Sequence, residues 1–304
     1  MIRKILTFCL SLLMLMAQQI HAQPWQAPAG QVEVFCGATL GYADNNWLRL
    51  YDVHIDATPG LRWHLGHDWT VAAQGLIPVV NEGYTYRDWV YKYWRVNMAT
   101  VSRQLHFTEA RQHLKITAGW FGSERYGVDA KWMWPVTSWL LIQAQAGLTA
   151  SWIMGTDFRG NYDVDMKDDF TLTGMAGANV YLRPWDIELR LSGGRYTAGD
   201  YGIQFDVMRH FKHCTLLAFA RMYCGDRQVS TYDKYGFRTN GGFKVIMMLP
   251  PYKKSSRKLV VRPASNFRLT NSMHSNEGLM QLYTTDPEEN ERELQVDVDW
   301  GLGK

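Results

Sequence analysis

Residues 140–154 read Leu140-Leu141-Ile142-Gln143-Ala144-Gln145-Ala146-Gly147-Leu148-Thr149-Ala150-Ser151-Trp152-Ile153-Met154. Leu140, Ile142, Ala144, Ala146, Leu148, Ala150, Trp152 and Met154 fall on one face of an extended chain. Gln143, Gln145, Gly147, Thr149 and Ser151 fall on the other. Strand side chains alternate, so this period of two predicts a strand with one apolar and one polar face. The stretch between Lys131 and Asp157 has no charge, and its length alone suits a membrane-spanning helix. Pro135, Gln143, Gln145 and the period of two argue for a strand instead.

The pattern repeats outward from this segment. At 112–122, Leu114, Ile116, Ala118 and Trp120 oppose Lys115 and Thr117. At 168–183, Phe170, Leu172, Ala176, Ala178, Val180 and Leu182 oppose Asp169, Thr171, Thr173 and Asn179. Residues 186–192 and 201–208 alternate likewise, with Glu188, Arg190 and Asp206 on the polar side. Weaker versions lie at 31–42, 47–57, 61–65, 69–77, 94–105, 214–224 and 241–249, giving about 12 strands.

Composition narrows the class. With 304 residues, 46% hydrophobic and 20% charged, the chain is neither disordered nor a short disulfide scaffold. Arg3, Lys4, the apolar run Ile5–Ala17 and Ala22 before Gln23 predict a cleaved secretory signal over 1–22. The net charge of +3 falls to +1 without Arg3 and Lys4, a poor balance for binding nucleic acid. The mature chain keeps Cys36, Cys214 and Cys224, an odd number that does not read as a disulfide framework. Its 13 Trp and 16 Tyr are the residue types that settle at a membrane interface or stack on sugars.

A secreted β-sandwich alternates with its apolar face inward, and an outer-membrane barrel with that face toward lipid. Runs of about ten residues or more match a tilted membrane strand, and aromatics (Trp132, Trp134, Trp152, Trp185) flank the strands. These features predict an all-β protein, an antiparallel transmembrane β-barrel of about 12 strands in the outer membrane of a Gram-negative bacterium. The barrel spans 23–252, with Gln143, Gln145, Thr171, Glu188, Arg190 and Asp206 facing the lumen. A charged segment, 253–304, follows. Lys253, Lys254, Arg257, Lys258, Arg262 and Arg268 precede an acid-rich stretch from Glu277 to Asp299, and 294–300 alternates as a candidate closing strand.

Residues 193–211 carry a motif. Gly194, Arg195, Tyr196, Ala198, Asp200, Gly202, Arg209 and Phe211 stand in the order of a G-R-Y-x-A-x-D-x-G run followed by a strand and R-x-F. The stretch resembles the signature of the YjbH family, outer-membrane proteins linked to exopolysaccharide and capsule production. The resemblance is specific over about twenty residues and loose over 185–265. The chain has room for a single barrel where typical members resemble two, so it resembles a divergent, shortened relative. The resemblance implies a non-catalytic role in secreting or assembling a surface polysaccharide, with that polymer and outer-membrane lipid as partners. Read physically, the motif is either a structural turn pinned by an Arg195–Asp200 pair or a ligand contact at the barrel mouth.

Other residues bear on chemistry. Tyr84, Tyr86, Trp89, Tyr91, Tyr93 and Trp94 form either an interfacial girdle or a saccharide-stacking platform. His64/His67 and His210/His213 have ligand-type side chains, but residues three apart on a strand point to opposite faces, so no metal site is expected. No cofactor is expected. No G-x-S-x-G elbow occurs, and no catalytic residue is assigned; an outer-membrane lipid-modifying enzyme and a small-solute porin remain the competing functions. The charged segment either docks a periplasmic or export-channel protein or folds back as a plug.

Overall fold

The computed structural model describes residues 27–43, 52–82, 93–107, 110–122, 124–156, 162–224, 238–251, 255–272, 280 and 282–289. The expected signal segment, the candidate closing strand 294–300, and Tyr84, Tyr86, Trp89 and Tyr91 lie outside the described residues.

The protein is all-β. The strands are β1 (Val32–Ala43), β2 (Asp52–Gly66), β3 (Trp69–Glu82), β4 (Trp94–Phe107), β5 (Gln112–Phe121), β6 (Arg125–Pro135), β7 (Leu140–Thr156) and β8 (Tyr162–Met166). They continue with β9 (Thr171–Leu182), β10 (Ile187–Arg195), β11 (Tyr201–His210), β12 (Cys214–Cys224), β13 (Arg238–Met248), β14 (Leu259–Pro263) and β15 (Asn266–Ser272). They form one long sheet in which chain neighbours pair antiparallel from β1 to β7 and from β9 to β13, with β7 bonded to β9 and β8 to one side. At one end of the order β14 pairs with β1 in parallel, and at the other β15 pairs antiparallel with β13. Ala264 and Ser265 join β14 to β15, so the two ends are consecutive in the chain. The Ala264 N–H donates to the Cys36 carbonyl and the Leu249 N–H to the Ser265 carbonyl, both at 2.8 Å.

Several elements differ from the sequence reading. The described part of the expected stretch 47–57, from residue 52, and the stretch 61–65 belong to one strand, β2, which runs through Pro59-Gly60. Gly60 is needed there: a Cβ on it would lie 2.3 Å from the Phe35 ring, which crosses it. Strand β6 was not expected, because Trp132 and Trp134 were read as flanking aromatics. Residues 259–272, expected within a charged segment beyond the strands, supply β14 and β15.

Burial is inverted relative to a water-soluble sheet. Gln143, Gln145 and Thr149 of β7 are at most 7% exposed, while Leu148 is 50% exposed. The register extends this across strands. Val128, Leu148 and Leu172 lie opposite one another on β6, β7 and β9, and all three are half-exposed or more. On the other face, Gln143, Gly177, Ser192, Gln204, Arg221 and Asn240 form one row from β7 to β13, with Gln143 and Ser192 buried. A monomeric soluble protein rarely exposes a contiguous apolar surface beyond a few hundred Å²; here the apolar face of the sheet is the exposed one.

Short links at 67–68, 136–139, 183–186 and 211–213 gather at one end of the sheet, the end where β1 begins. The turn 196–200 and the far ends of β1, β3 and β12 lie at the other. Exposed aromatics mark both ends: Trp69, Phe107, Trp139, Trp185 and Phe211 by the start of β1, Trp94, Trp120, Phe170 and Tyr201 by the opposite end.

Candidate functional site

The buried polar face is occupied by residues 280 and 282–289, whose contacts reach β2, β4, β5, β6, β9, β12, β14 and β15 and two turns. Met280 marks the end opposite the start of β1. Its N–H donates to Asp200 at 2.6 Å, and its side chain packs with Tyr196 and Tyr223. The Gly122 N–H donates to the Thr284 carbonyl at 2.9 Å. Tyr283 stacks on Phe121 with ring centroids 5.1 Å apart. Its hydroxyl donates to Asp129 at 2.7 Å and lies 3.2 Å from Thr173 Oγ1. Burial pushes the Tyr283 phenol well above its usual range, and the neighbouring Asp129 adds to this, so the hydroxyl stays a donor.

Toward the short-link end the contacts become ionic. Lys131 donates to Thr285 Oγ1 at 2.8 Å and to Glu289 at 2.9 Å. Lys115 reaches Asp286 at 3.3 Å, and Arg62 pairs with the same carboxylate. Arg262 donates to Glu288 and to Glu33 of β1, each at 2.8 Å. Both arginines lie over the Phe35 ring, at 5.9 Å for Arg62 and 5.2 Å for Arg262. The basic and acidic blocks of the C-terminal region thus meet directly at Arg262 and Glu288.

A second polar network crosses β9 to β12. Asn179 donates to Glu188, whose other oxygen is 2.9 Å from His210 Nε2; His210 Nδ1 is 3.1 Å from Thr215. Arg190 lies 3.5 Å from Asp206, which accepts from Gln204 at 2.6 Å. Glu188, Arg190 and Asp206, selected from sequence for the polar face, therefore share this network and are buried; Thr171 is partly exposed and bonds locally to Asp169.

The motif residues form a tight turn. Gly194 and Arg195 end β10, and the Tyr196 N–H and Asp200 carbonyl close the turn at 2.9 Å. Gly199 takes φ +83°, a left-handed conformation that favours glycine. The Arg195–Asp200 pair is not formed: the Arg195 guanidinium lies over the Tyr201 ring at 5.7 Å, while Asp200 binds Met280. Burial raises the Asp200 carboxyl above its usual range, against the lowering by the Met280 N–H. Gly202 leaves room for the Met280 sulfur, 2.7 Å from where a Cβ would stand. Ala198 is exposed at the turn; Arg209 and Phe211 face outward, with the guanidinium 5.2 Å from the ring centroid. The turn thus seats the first described residue of the 280–289 segment. Of the aromatic cluster, Tyr93 is half-buried and Trp94 exposed.

Two predictions follow from this packing. A Cβ on Gly147 would lie 1.8 Å from the Tyr283 hydroxyl, so Gly147→Ala is expected to displace Tyr283 while β7 keeps its register. Faster amide hydrogen exchange in 280–289, with exchange in 140–146 unchanged, checks this. The second concerns pH. Burial raises the Asp286 carboxyl, but Arg62 and Lys115 outweigh burial and hold it well below the usual range. A depressed carboxyl contributes stability that is complete above its unfolded pKa of about 3.9 and is lost as pH falls through the folded value. The segment is expected to stay docked down to about pH 4 and to loosen below it. Exchange corrected for intrinsic rate reads this directly, and loosening on going from neutral to mildly alkaline pH would contradict it.

No family model, curated protein or solved structure matches the chain.

Proposed function

We propose that this chain is an outer-membrane β-barrel with a plugged lumen that takes part, without catalysis, in secreting or assembling a surface polysaccharide. The observation that carries the membrane reading is the inverted sheet, with a polar face buried and an apolar face exposed along the strands. In water that surface would drive aggregation; in lipid it is the stable arrangement, provided that every backbone group is paired. The link through Ala264-Ser265 brings β14 to β1 and β15 to β13, which supports closure of the sheet into a barrel. The short links, lying with the start of β1, fit periplasmic turns. The two bands of exposed aromatics fit interfacial girdles.

The polysaccharide link rests on the resemblance of 193–211 to the YjbH family. An occupied polar face favours this reading over an open small-solute porin. Deleting the gene in its own host and quantifying capsule or exopolysaccharide tests the function. Loss of surface polymer, restored by the wild-type gene, is expected. Unchanged polymer with altered lipid A or phospholipid would favour the lipid-modifying enzyme.

A further inference from the structure

We infer that the polar face around Arg62, Lys115, Lys131 and Arg262 is a binding site for a linear carboxylated glycan, and that residues 280–289 fill it as a displaceable internal mimic. The inference rests on the polysaccharide reading above and names the class of polymer.

Lys115 and Lys131 stand directly opposite each other on β5 and β6, each 3% exposed. Like charges in that position repel, and the more so when buried. Their in-register neighbours on the outer sides are Gln104 and Gln145, which are neutral. The sheet itself offers them one carboxylate, Asp129, two residues from Lys131 on the same face of β6; the ion pairs within 4 Å are with the segment, through Asp286 and Glu289. A sheet that places two buried lysines face to face, with one carboxylate of its own beside them, takes the balancing anions from outside the sheet. Arg62 and Arg262 continue the cationic track; Glu33 pairs with both, and Asp286 and Glu288 of the segment add to them.

The occupant shows what fits. It presents carboxylates at 286, 288 and 289 in sequence, and the flat ring of Tyr283 stacked on Phe121. Carboxylates repeated along a chain, with a flat face that stacks on an aromatic, are the features of a linear polymer of uronic acids. Its ionic contacts can be exchanged for those of another polyanion without a new apolar core, and such contacts weaken with salt.

The test uses the full chain in detergent micelles or nanodiscs, with polygalacturonate as the probe and neutral dextran as the control. D286N/E288Q/E289Q is expected to bind polygalacturonate about tenfold tighter than the wild type, with affinity falling as salt rises and no binding of dextran. Adding K115Q/K131Q to that variant is expected to abolish the gain. Equal affinity of wild type and triple variant, or equal binding of dextran, would overturn the inference. A second variant covers the case in which the triple variant fails to fold. A Cβ at position 122 would lie 3.5 Å from Thr284 Cβ, within the range that a disulfide bridges. G122C/T284C, with Cys36, Cys214 and Cys224 changed to serine, is expected to bind the probe only when reduced. The same affinity oxidised and reduced would overturn the inference. Failure of the polysaccharide reading itself would show separately, as unchanged surface polymer in the deletion strain while the purified protein still binds the probe.

Discussion

Leu148→Arg is expected to cost the folded protein about 2–4 kcal/mol in a bilayer. Leu148 lies midway along β7, between Val128 and Leu172 in the register, and the whole row is exposed. If hydrocarbon covers that row, a guanidinium there must be desolvated or must draw the bilayer inward. If water covers it, an exposed substitution stays within about 0.5 kcal/mol. Unfolding by denaturant in liposomes, followed by tryptophan fluorescence, separates the two. A cost near zero would remove lipid from this face.

The second large effect lies at the junction of the sheet's ends. Arg262→Met is expected to cost about 3–5 kcal/mol. Arg262 is held between Glu33 of β1 and Glu288 of the segment, and its removal leaves these two poorly solvated carboxylates to share Arg62, one negative charge in excess. The triple change R262M/E33Q/E288Q is expected to recover most of the loss, because removing the whole cluster removes the unpaired charge as well. Recovery would mark the cost as electrostatic; its absence would assign it to packing of the arginine stem on Phe35. The single variant should also loosen 280–289 more than 140–146 in hydrogen exchange, since Glu288 takes part in seating the segment.

What was legible in the sequence was the alternation, because a strand's side-chain period is local. Residues 140–154 declare both faces without any partner strand in view. Strand β6 had the same signal, since Val128, Ala130, Trp132 and Trp134 alternate with Asp129, Lys131 and Met133. Reading its two tryptophans as flanks hid it. Pro59-Gly60 looked like a break because both residues punctuate chains, yet the glycine serves a crossing Phe35 ring that only the β1–β2 pairing brings near. The seating of 280–289 left no local trace. Its acids belong to a charged segment that reads equally as a docking tail or a plug, and nothing local names their partners Lys115 and Lys131, which lie 171 and 158 residues away. The one available hint was two lysines on the polar faces of strands, Lys115 and Lys131, with a single acid, Asp129, beside Lys131 on the same face. Tertiary pairing likewise decided the motif turn: Arg195 and Asp200 are close in sequence, but Asp200 is taken by Met280, 80 residues away.

Nitroxide labels placed singly along 142–148 of the membrane-reconstituted protein test the central claim most directly. Accessibility is read by collision with oxygen, which concentrates in lipid, and with a water-soluble nickel chelate. The account predicts high oxygen contact at 142, 144, 146 and 148 and low contact at 143 and 145, a period of two in phase with the exposed face. The opposite phase, or a protein that stays in solution without detergent and gives no period, would contradict it.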